Sequence, residues 1–131
     1  MRLASIKYAG EEVAAIVTPQ GLIPLRSLKQ SGQDFAETLF ELISTEQLEE
    51  LKTWWETEGL KNIDNWSRHL IPSDQVEYAP LYRCPRKIWG IGLNYMEHAA
   101  DLNENTPKSE PASFMKPDTS IIGSGVKIEI P

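Results

Sequence analysis

The stretch KIWGIGLNYMEHAAD, residues 87–101, decides how the second part of this chain is interpreted. Its first half, through Tyr95, predicts a buried strand that ends in a glycine-containing turn, because apolar residues run through it almost without interruption. Its second half predicts a short helix opened by Asn94. On such a helix, His98 and Asp101 are three residues apart, so they lie on the same side and can touch. The stretch therefore predicts a histidine–carboxylate pair directly after a strand.

This pair has the composition of a general base. A carboxylate that binds one imidazole nitrogen fixes the tautomer and raises the basicity of the other nitrogen. His98 is then the candidate base and Asp101 its partner, although the same spacing also occurs on solvated helices. Lys116, at the end of the predicted strand ASFMKP, is either a contact for a substrate carboxylate or an ordinary surface lysine. Glu97 is interpreted as a solvated charge.

The first twenty-five residues predict a small β-meander. RLASIKY alternates in polarity, VAAIV is rich in β-formers, LIPL follows, and AGEE and TPQG form the turns between them. Two helices are predicted next. The first carries Phe35, Leu39 and Leu42 at helical spacing. The second is capped by Ser44 or Thr45 and closes on Gly59.

The second predicted helix has an apolar stripe composed of Leu48, Leu51, Trp54 and Trp55, interpreted as a face that packs on the hairpins or on a partner. Residues 61–85 lose periodicity and contain three prolines, which predicts an extended connector. His69 within it is expected to be a surface or packing histidine.

The fold class predicted is α+β, with a domain of residues 1–80 and the start of a second domain at 81–131. VKIEI, near the end, is predicted to be another strand. GIGLNY lacks the third glycine of a dinucleotide fingerprint.

Composition narrows the function classes. The net charge is −6 and no Lys/Arg cluster is present, which argues against nucleic acid. No apolar run is long enough for a membrane span and no secretory signal is recognisable, so the cytoplasm is the expected location. The single cysteine, Cys84, has no internal partner for a disulfide and is expected to be a small packing residue.

The order of motifs from residue 87 onward resembles the start of the catalytic domain of the fumarylacetoacetate hydrolase family. Members typically show a strand running into G-x-N-Y-x-x-H-x-x-E, then P-x-x-F-x-K-P, then a Gly/Pro turn and a short strand that ends in proline. The matching residues are Gly92, Asn94, Tyr95, His98, Pro111, Phe114, Lys116, Pro117 and Gly123 to Pro131. The preceding residues are similar, less specifically, to the small N-terminal domain that many members carry. The resemblance implies the first strands of a mixed β-roll, incomplete here.

The resemblance also implies a chemistry. Family members act on β-dicarbonyl or 2-oxo acid compounds by hydrolysis, decarboxylation or isomerisation, with Mg²⁺ or Mn²⁺ chelating the substrate. Carried over, His98 is the base that activates water, Asp101 its partner, and Tyr95 and Lys116 contact the substrate. The family usually has Glu where Asp101 stands. The shorter side chain weakens the expectation of hydrolysis more than that of isomerisation or decarboxylation.

The family's metal ligands, a Glu-x-Glu pair and a later Asp, are expected beyond residue 131, so no metal ligand is assigned in this chain. The chain is then expected to be an inactive N-terminal portion of a parent enzyme that is a homodimer. One alternative is a non-catalytic α+β assembly module of residues 1–80, with Trp54 and Trp55 as its interface. Another is a complete small enzyme that uses His98 and Asp101 without metal.

Overall fold

The computed structural model describes residues 1–81, 83–93, 96–101, 105 and 110–130, without the side chains of Ser31, Met96, His98 and Asp101. The chain forms two compact units. Unit 1 comprises Met1–Tyr82 and Ile122–Pro131, and unit 2 comprises Arg83–Ile121. The domain boundary predicted near residue 80 stays a prediction.

Unit 1 contains three strands followed by a series of short helices. The strands are β1 (Leu3–Tyr8), β2 (Glu11–Thr18) and β3 (Gly21–Pro24), and the α-helices are α1 (Leu25–Leu28), α2 (Leu39–Ser44) and α3 (Leu48–Trp54). Other helical turns cover Lys29–Ser31, Trp55–Gly59, Leu60–His69 and Ser73–Gln75. Unit 2 contains β4 (Ile88–Gly92), α4 (Met96–Asp101), β5 (Ala112–Lys116) and a 3₁₀ turn at Asp118–Ser120. The α+β class and the β-meander are confirmed.

Strand β2 lies at the centre of an antiparallel sheet with the order β1-β2-β3. Its apolar run is buried on both faces. Ala14 and Ile16 face one core cluster, whereas Val13 and Ala15 face another. A strand with no polar face needs cover on both sides, because either face left open would expose apolar surface to water.

The helices of unit 1 cover the first of these faces. Leu42, Leu51 and Trp55 are buried there with Ala14 and Ile16. The prediction that the stripe of α3 packs on the hairpins is therefore confirmed. Burial of Trp55, which is 4% exposed, contradicts its predicted role in an interface.

The predicted ends of the second helix are wrong. Thr45 ends α2, where its N–H donates to the carbonyl of Glu41, and α3 begins only at Leu48. Gly59 does not end the helical run, because its backbone stays right-handed and 3₁₀ structure continues from it. An added Cβ at Gly59 would lie 2.3 Å from Cε3 of Trp55. Glycine is present because an indole ring packs against it, not because the chain must turn.

The segment of residues 70–81 covers the second face and closes both edges of the sheet. Ile71 pairs with Leu22 of β3 through two backbone hydrogen bonds of 2.9 and 2.8 Å. At the other edge, Lys7 and Ala79 donate their N–H groups to Glu77 and Ser5, both at 2.9 Å. An extended connector is thus confirmed for residues 70–72 and 76–81 and wrong for 61–69 and 73–75, which are 3₁₀-helical. This connector is structural, because it blocks the edges at which a sheet recruits foreign strands.

Unit 2 is built on an antiparallel hairpin in which β4 pairs with β5, Trp89 opposite Met115 and Gly90 opposite Phe114. Both strands were predicted. The expectation that the first one is buried is wrong, because Trp89 is 61% exposed and Ile91 56%. Nothing within the described part of the chain covers that face.

Two further predictions fail. Residues 126–130, VKIEI, form no regular strand, and Ile128 and Ile130 are 78% and 88% exposed. A strand needs a neighbour for its backbone hydrogen bonds, and the described residues supply none. Cys84 is exposed, so it is not the packing residue expected. The predicted absence of an internal disulfide follows from the single cysteine.

Candidate functional site

The candidate site begins directly after β4, at Leu93. Leu93 has φ of +57°, a left-handed conformation that a branched side chain adopts at a cost of about 1–2 kcal/mol. The sequence predicted a glycine-containing turn here, but Gly92 ends the strand and the left-handed position falls on leucine. Such conformations persist only where the surrounding structure imposes them, and they are frequent at functional sites. Leu93 is the last described residue before the predicted histidine helix.

Helix α4 confirms the predicted helix and carries both members of the predicted pair, His98 and Asp101, three positions apart. Their side chains lie outside the described residues, so their contact stays a prediction. Ala99, between them, is 1% exposed and anchors the helix, whereas Glu97 is exposed as expected. Asn94 and Tyr95 lie outside the described residues, and the substrate role of Tyr95 also stays a prediction.

Lys116 is exposed at the end of β5. This exposure agrees with its interpretation as a surface lysine. Its Nζ lies 5.9 Å from the ring centroid of Phe114. Among the described residues, no carboxylate lies within ion-pair distance of this ammonium. The role of Lys116 as a substrate contact stays a prediction.

A divalent cation does not fit the described part of the chain. Within the described ranges, no group of three His, Cys, Asp or Glu side chains is placed to hold a metal ion. A hard cation such as Mg²⁺ takes about six oxygen ligands. No step of a reaction is therefore assigned to a metal ion bound by the described residues.

A cavity in unit 1 has a different character. It has a volume of about 610 Å³ and is lined by charged residues that include Arg26, Lys29 and Glu37. Glu37 accepts hydrogen bonds from Lys29 at 2.9 Å and from Arg26, which also pairs with Glu11. The Lys29 ammonium and then the Arg26 guanidinium hold the pKa of the Glu37 carboxyl below its ordinary value. Because carboxylates already pair with both cations, this cluster does not form an anion site. It links the loop that contains Glu37 to strand β2, which contains Glu11.

His69 is half-buried, and its Nε2 accepts a hydrogen bond from Nε of Arg68 at 2.9 Å. A histidine that accepts from its neighbour's guanidinium is held in a local contact, consistent with the surface or packing role predicted for it. No helix in the described part of the chain is both long and apolar enough to cross a bilayer.

Unit 2 thus combines a β-hairpin, a left-handed residue directly after its first strand, a helix that contains the predicted histidine, and an exposed lysine. Residues 87–131 match the family model described as fumarylacetoacetate (FAA) hydrolase C-terminal. The resemblance of this segment to the fumarylacetoacetate hydrolase family, predicted from the motifs, is confirmed.

Curated relatives match parts of the chain. An uncharacterized protein of Archaeoglobus fulgidus is 43% identical over 78 residues, which are 56% of this chain and 30% of its own. A protein of Arabidopsis thaliana named oxaloacetate tautomerase FAHD2, mitochondrial, is 45% identical over 51 residues, 39% of this chain and 22% of its own. The rat protein named oxaloacetate tautomerase Fahd2a, mitochondrial, is 41% identical over 63 residues, 47% of this chain and 20% of its own. The matches thus span less than a third of the relatives' length.

A solved structure agrees in fold. The crystal structure described as that of an HpcE protein from Mycobacterium smegmatis matches with a TM-score of 0.62 and 24% identity. The match covers 100% of this chain and 41% of the other. It confirms the predicted class of fold, in which a small α+β region is followed by the first strands of a mixed β-roll.

Proposed function

We propose that these 131 residues belong to an enzyme that acts on 2-oxo or β-dicarbonyl acids, and that its reaction is the tautomerisation of a compound of the oxaloacetate type. The observation that carries the proposal is the placement of His98 and Asp101 three positions apart on α4, inside the family-matched segment. The names of the plant and rat relatives support the choice of tautomerisation.

The residues suit this chemistry. Keto–enol tautomerisation removes a proton from the carbon next to the ketone, moves the electron pair into a carbon–carbon double bond and protonates the former carbonyl oxygen. His98 would take the proton from carbon and return one to oxygen, and Asp101 would hold its imidazole in the required tautomer. No water attack is needed, so a short aspartate in the place of the usual glutamate is less damaging than in a hydrolase.

Lys116 would bind a carboxylate of the substrate. Its exposed ammonium is unpaired among the described residues and offers a positive charge to a dianionic oxo acid. Tyr95 is proposed as a second substrate contact. The Mg²⁺ or Mn²⁺ implied by the family is proposed for the parent protein with ligands outside these residues, because those described do not hold it.

The test uses the complete gene product that contains these residues. The decay of enol-oxaloacetate is followed by ultraviolet absorbance. His98→Gln is expected to lower kcat/KM by about 10²–10⁴-fold, the usual contribution of a general base. Asp101→Asn should lower it less, and Asp101→Glu should retain activity. Glu97→Gln, on the same helix, is the matched control and should leave the rate unchanged. Wild-type activity in the His98→Gln variant would contradict the proposal.

A second assay addresses the chain of residues 1–131 alone. We expect no turnover of oxaloacetate or acylpyruvate with Mg²⁺ present, because the described residues gather no metal site. Turnover that His98→Ala abolishes would contradict this expectation and favour a complete small enzyme. The alternative of a non-catalytic assembly module is weakened, because Trp55 is buried and is not available as an interface residue. Homodimer formation by the parent is proposed. The cytoplasmic location stays a prediction, and the plant and rat relatives are named mitochondrial.

A further inference from the structure

The hairpin of unit 2 places three residues in a defined relation. Gly90 stands opposite Phe114 in the ladder, and Lys116 follows Phe114 by two positions on the same strand. Because side chains alternate between faces of a strand, Phe114 and Lys116 share a face, whereas Trp89 and Met115 occupy the other. The aromatic ring and the ammonium are thus neighbours by construction of the hairpin.

The ring of Phe114 packs directly over Gly90, an arrangement called seating below. A Cβ added to Gly90 would lie 2.2 Å from Cζ and 2.5 Å from Cε2 of Phe114, so the ring lies directly across the glycine backbone. An aromatic side chain that covers a cross-strand glycine fills the space that the missing side chain leaves and pins the register. At Gly92 the same construction meets only atoms at 3.8 and 4.0 Å. Of these two glycines, only Gly90 is therefore in close contact with the ring.

The seated ring holds the lysine. The Nζ of Lys116 lies 5.9 Å from the ring centroid, within the range of a cation–π contact. A lysine side chain is otherwise free to sample many rotamers, and ordering it has an entropic cost. Phe114 is half-exposed, so this contact lies on an open face of the hairpin that a small anion can reach.

We propose that Phe114, seated on Gly90, is a positioning residue that holds the Lys116 ammonium toward the carboxylate of a 2-oxo acid. This rests on the proposed function, in which Lys116 is the substrate contact. It assigns Phe114 an electrostatic role in addition to a packing role. It also assigns Gly90 the role of leaving room for the ring.

The test is a nuclear magnetic resonance experiment on the 131-residue chain. In the wild type, the Hε protons of Lys116 should be shifted upfield by the ring current relative to those of Lys127, an exposed lysine. Phe114→Leu should abolish the shift, whereas the conservative Phe114→Tyr should keep it. Gly90→Ala should reduce the shift, because its Cβ displaces the ring. The Trp89 indole signal, from the opposite face, reports whether each variant keeps the hairpin folded.

Titration with oxalate separates this inference from the proposed function. Oxalate should perturb the Lys116 signals, with an apparent Kd about threefold weaker in Phe114→Leu, as expected for loss of an exposed cation–π contact. A Lys116 shift equal to that of Lys127 in the wild type, or unchanged in Phe114→Leu with the hairpin folded, would overturn the inference. A Phe114-dependent shift without any response to oxalate would support positioning and contradict the proposed role of Lys116 in substrate binding.

Discussion

The two sheets of this chain differ in how their faces and edges are covered. In unit 1, strand β2 is buried on both faces, and residues 70–81 pair with both outer strands. In unit 2, the β4–β5 hairpin leaves Trp89, Ile91 and Met115 more than half exposed. The comparison teaches that the burial of apolar residues differs sharply between two parts of the chain. The covered sheet has its apolar residues in a core, whereas the open hairpin lies within the segment that matches the family model.

The largest expected difference in the free energy of unfolding is between substitutions of two tryptophans, one in each unit. Trp55→Ala should lower the free energy of unfolding by about 3–5 kcal/mol, because it removes a buried indole from the core of unit 1. Trp89→Ala, at a 61% exposed site, should change it by less than about 0.5 kcal/mol. Urea unfolding followed through the amide signals of Ala15 and Ile91 measures both. Equal losses for the two substitutions would remove the distinction between the units.

A smaller effect tests the edge cover of unit 1. Gly21 has φ of +148°, and a Cβ there would lie 2.4 Å from the carbonyl oxygen of Ile71. Gly21→Ala should therefore push residues 70–71 off β3 and cost about 2–3 kcal/mol. Gly32→Ala is the control, since Gly32 also has positive φ but open space around it, and it should cost only about 1 kcal/mol. If Gly21→Ala costs no more than the control, the pairing at Ile71 is unimportant.

The turn between β1 and β2 offers a stabilising change. Ala9 and Gly10 have φ of +50° and +83°, the pattern of a two-residue turn that favours Asn-Gly. Ala9→Asn should raise the thermal midpoint of unit 1, with a gain of about 0.5–1 kcal/mol. Far-UV circular dichroism measures the midpoint. Ala9→Val is the matched opposite, because a β-branched residue disfavours positive φ, and it should lower the midpoint.

The smallest effect is a pH dependence from Glu37. The Lys29 and Arg26 hydrogen bonds lower the pKa of this carboxyl in the folded state, so its contribution to stability is present above the unfolded pKa. That contribution is lost as pH falls through the folded pKa. Glu37→Gln should therefore destabilise unit 1 slightly at neutral pH, and the difference from wild type should vanish in acid. Glu56→Gln, on exposed Glu56, is the control. A difference that grows in acid would contradict this assignment.

Much of unit 1 could be predicted because its signals are local. The apolar run around Val13 and the Ala9–Gly10 turn define a meander without reference to the rest of the chain. The end of the second helix could not be predicted, because Gly59 carries the usual mark of a helix stop. Its role depends on Trp55 packing against it and on Trp66, whose Nε1 donates to its carbonyl at 3.2 Å. Those contacts are tertiary, and a propensity argument does not contain them.

In the candidate site, too, some features could be predicted from the sequence and others could not. The strand, the helix with His98 and Asp101, and Lys116 could be predicted from motif order and spacing. The left-handed Leu93 and the seating of Phe114 on Gly90 could not. No residue type marks Leu93, because leucine is not the residue that positive φ favours. For Gly90, the cross-strand register was needed, and register depends on pairing between residues far apart in sequence.

The most direct test of the contrast between the two units is native-state hydrogen exchange on the 131-residue chain. The amides of Ala14, Ala15 and Ile16, in the doubly covered strand, should exchange at least about tenfold more slowly than those of Trp89 to Ile91, in the open hairpin. That result would establish that unit 1 is stable and that the hairpin of unit 2 opens locally. Equal protection of the two strands, with a single global opening, would contradict the account.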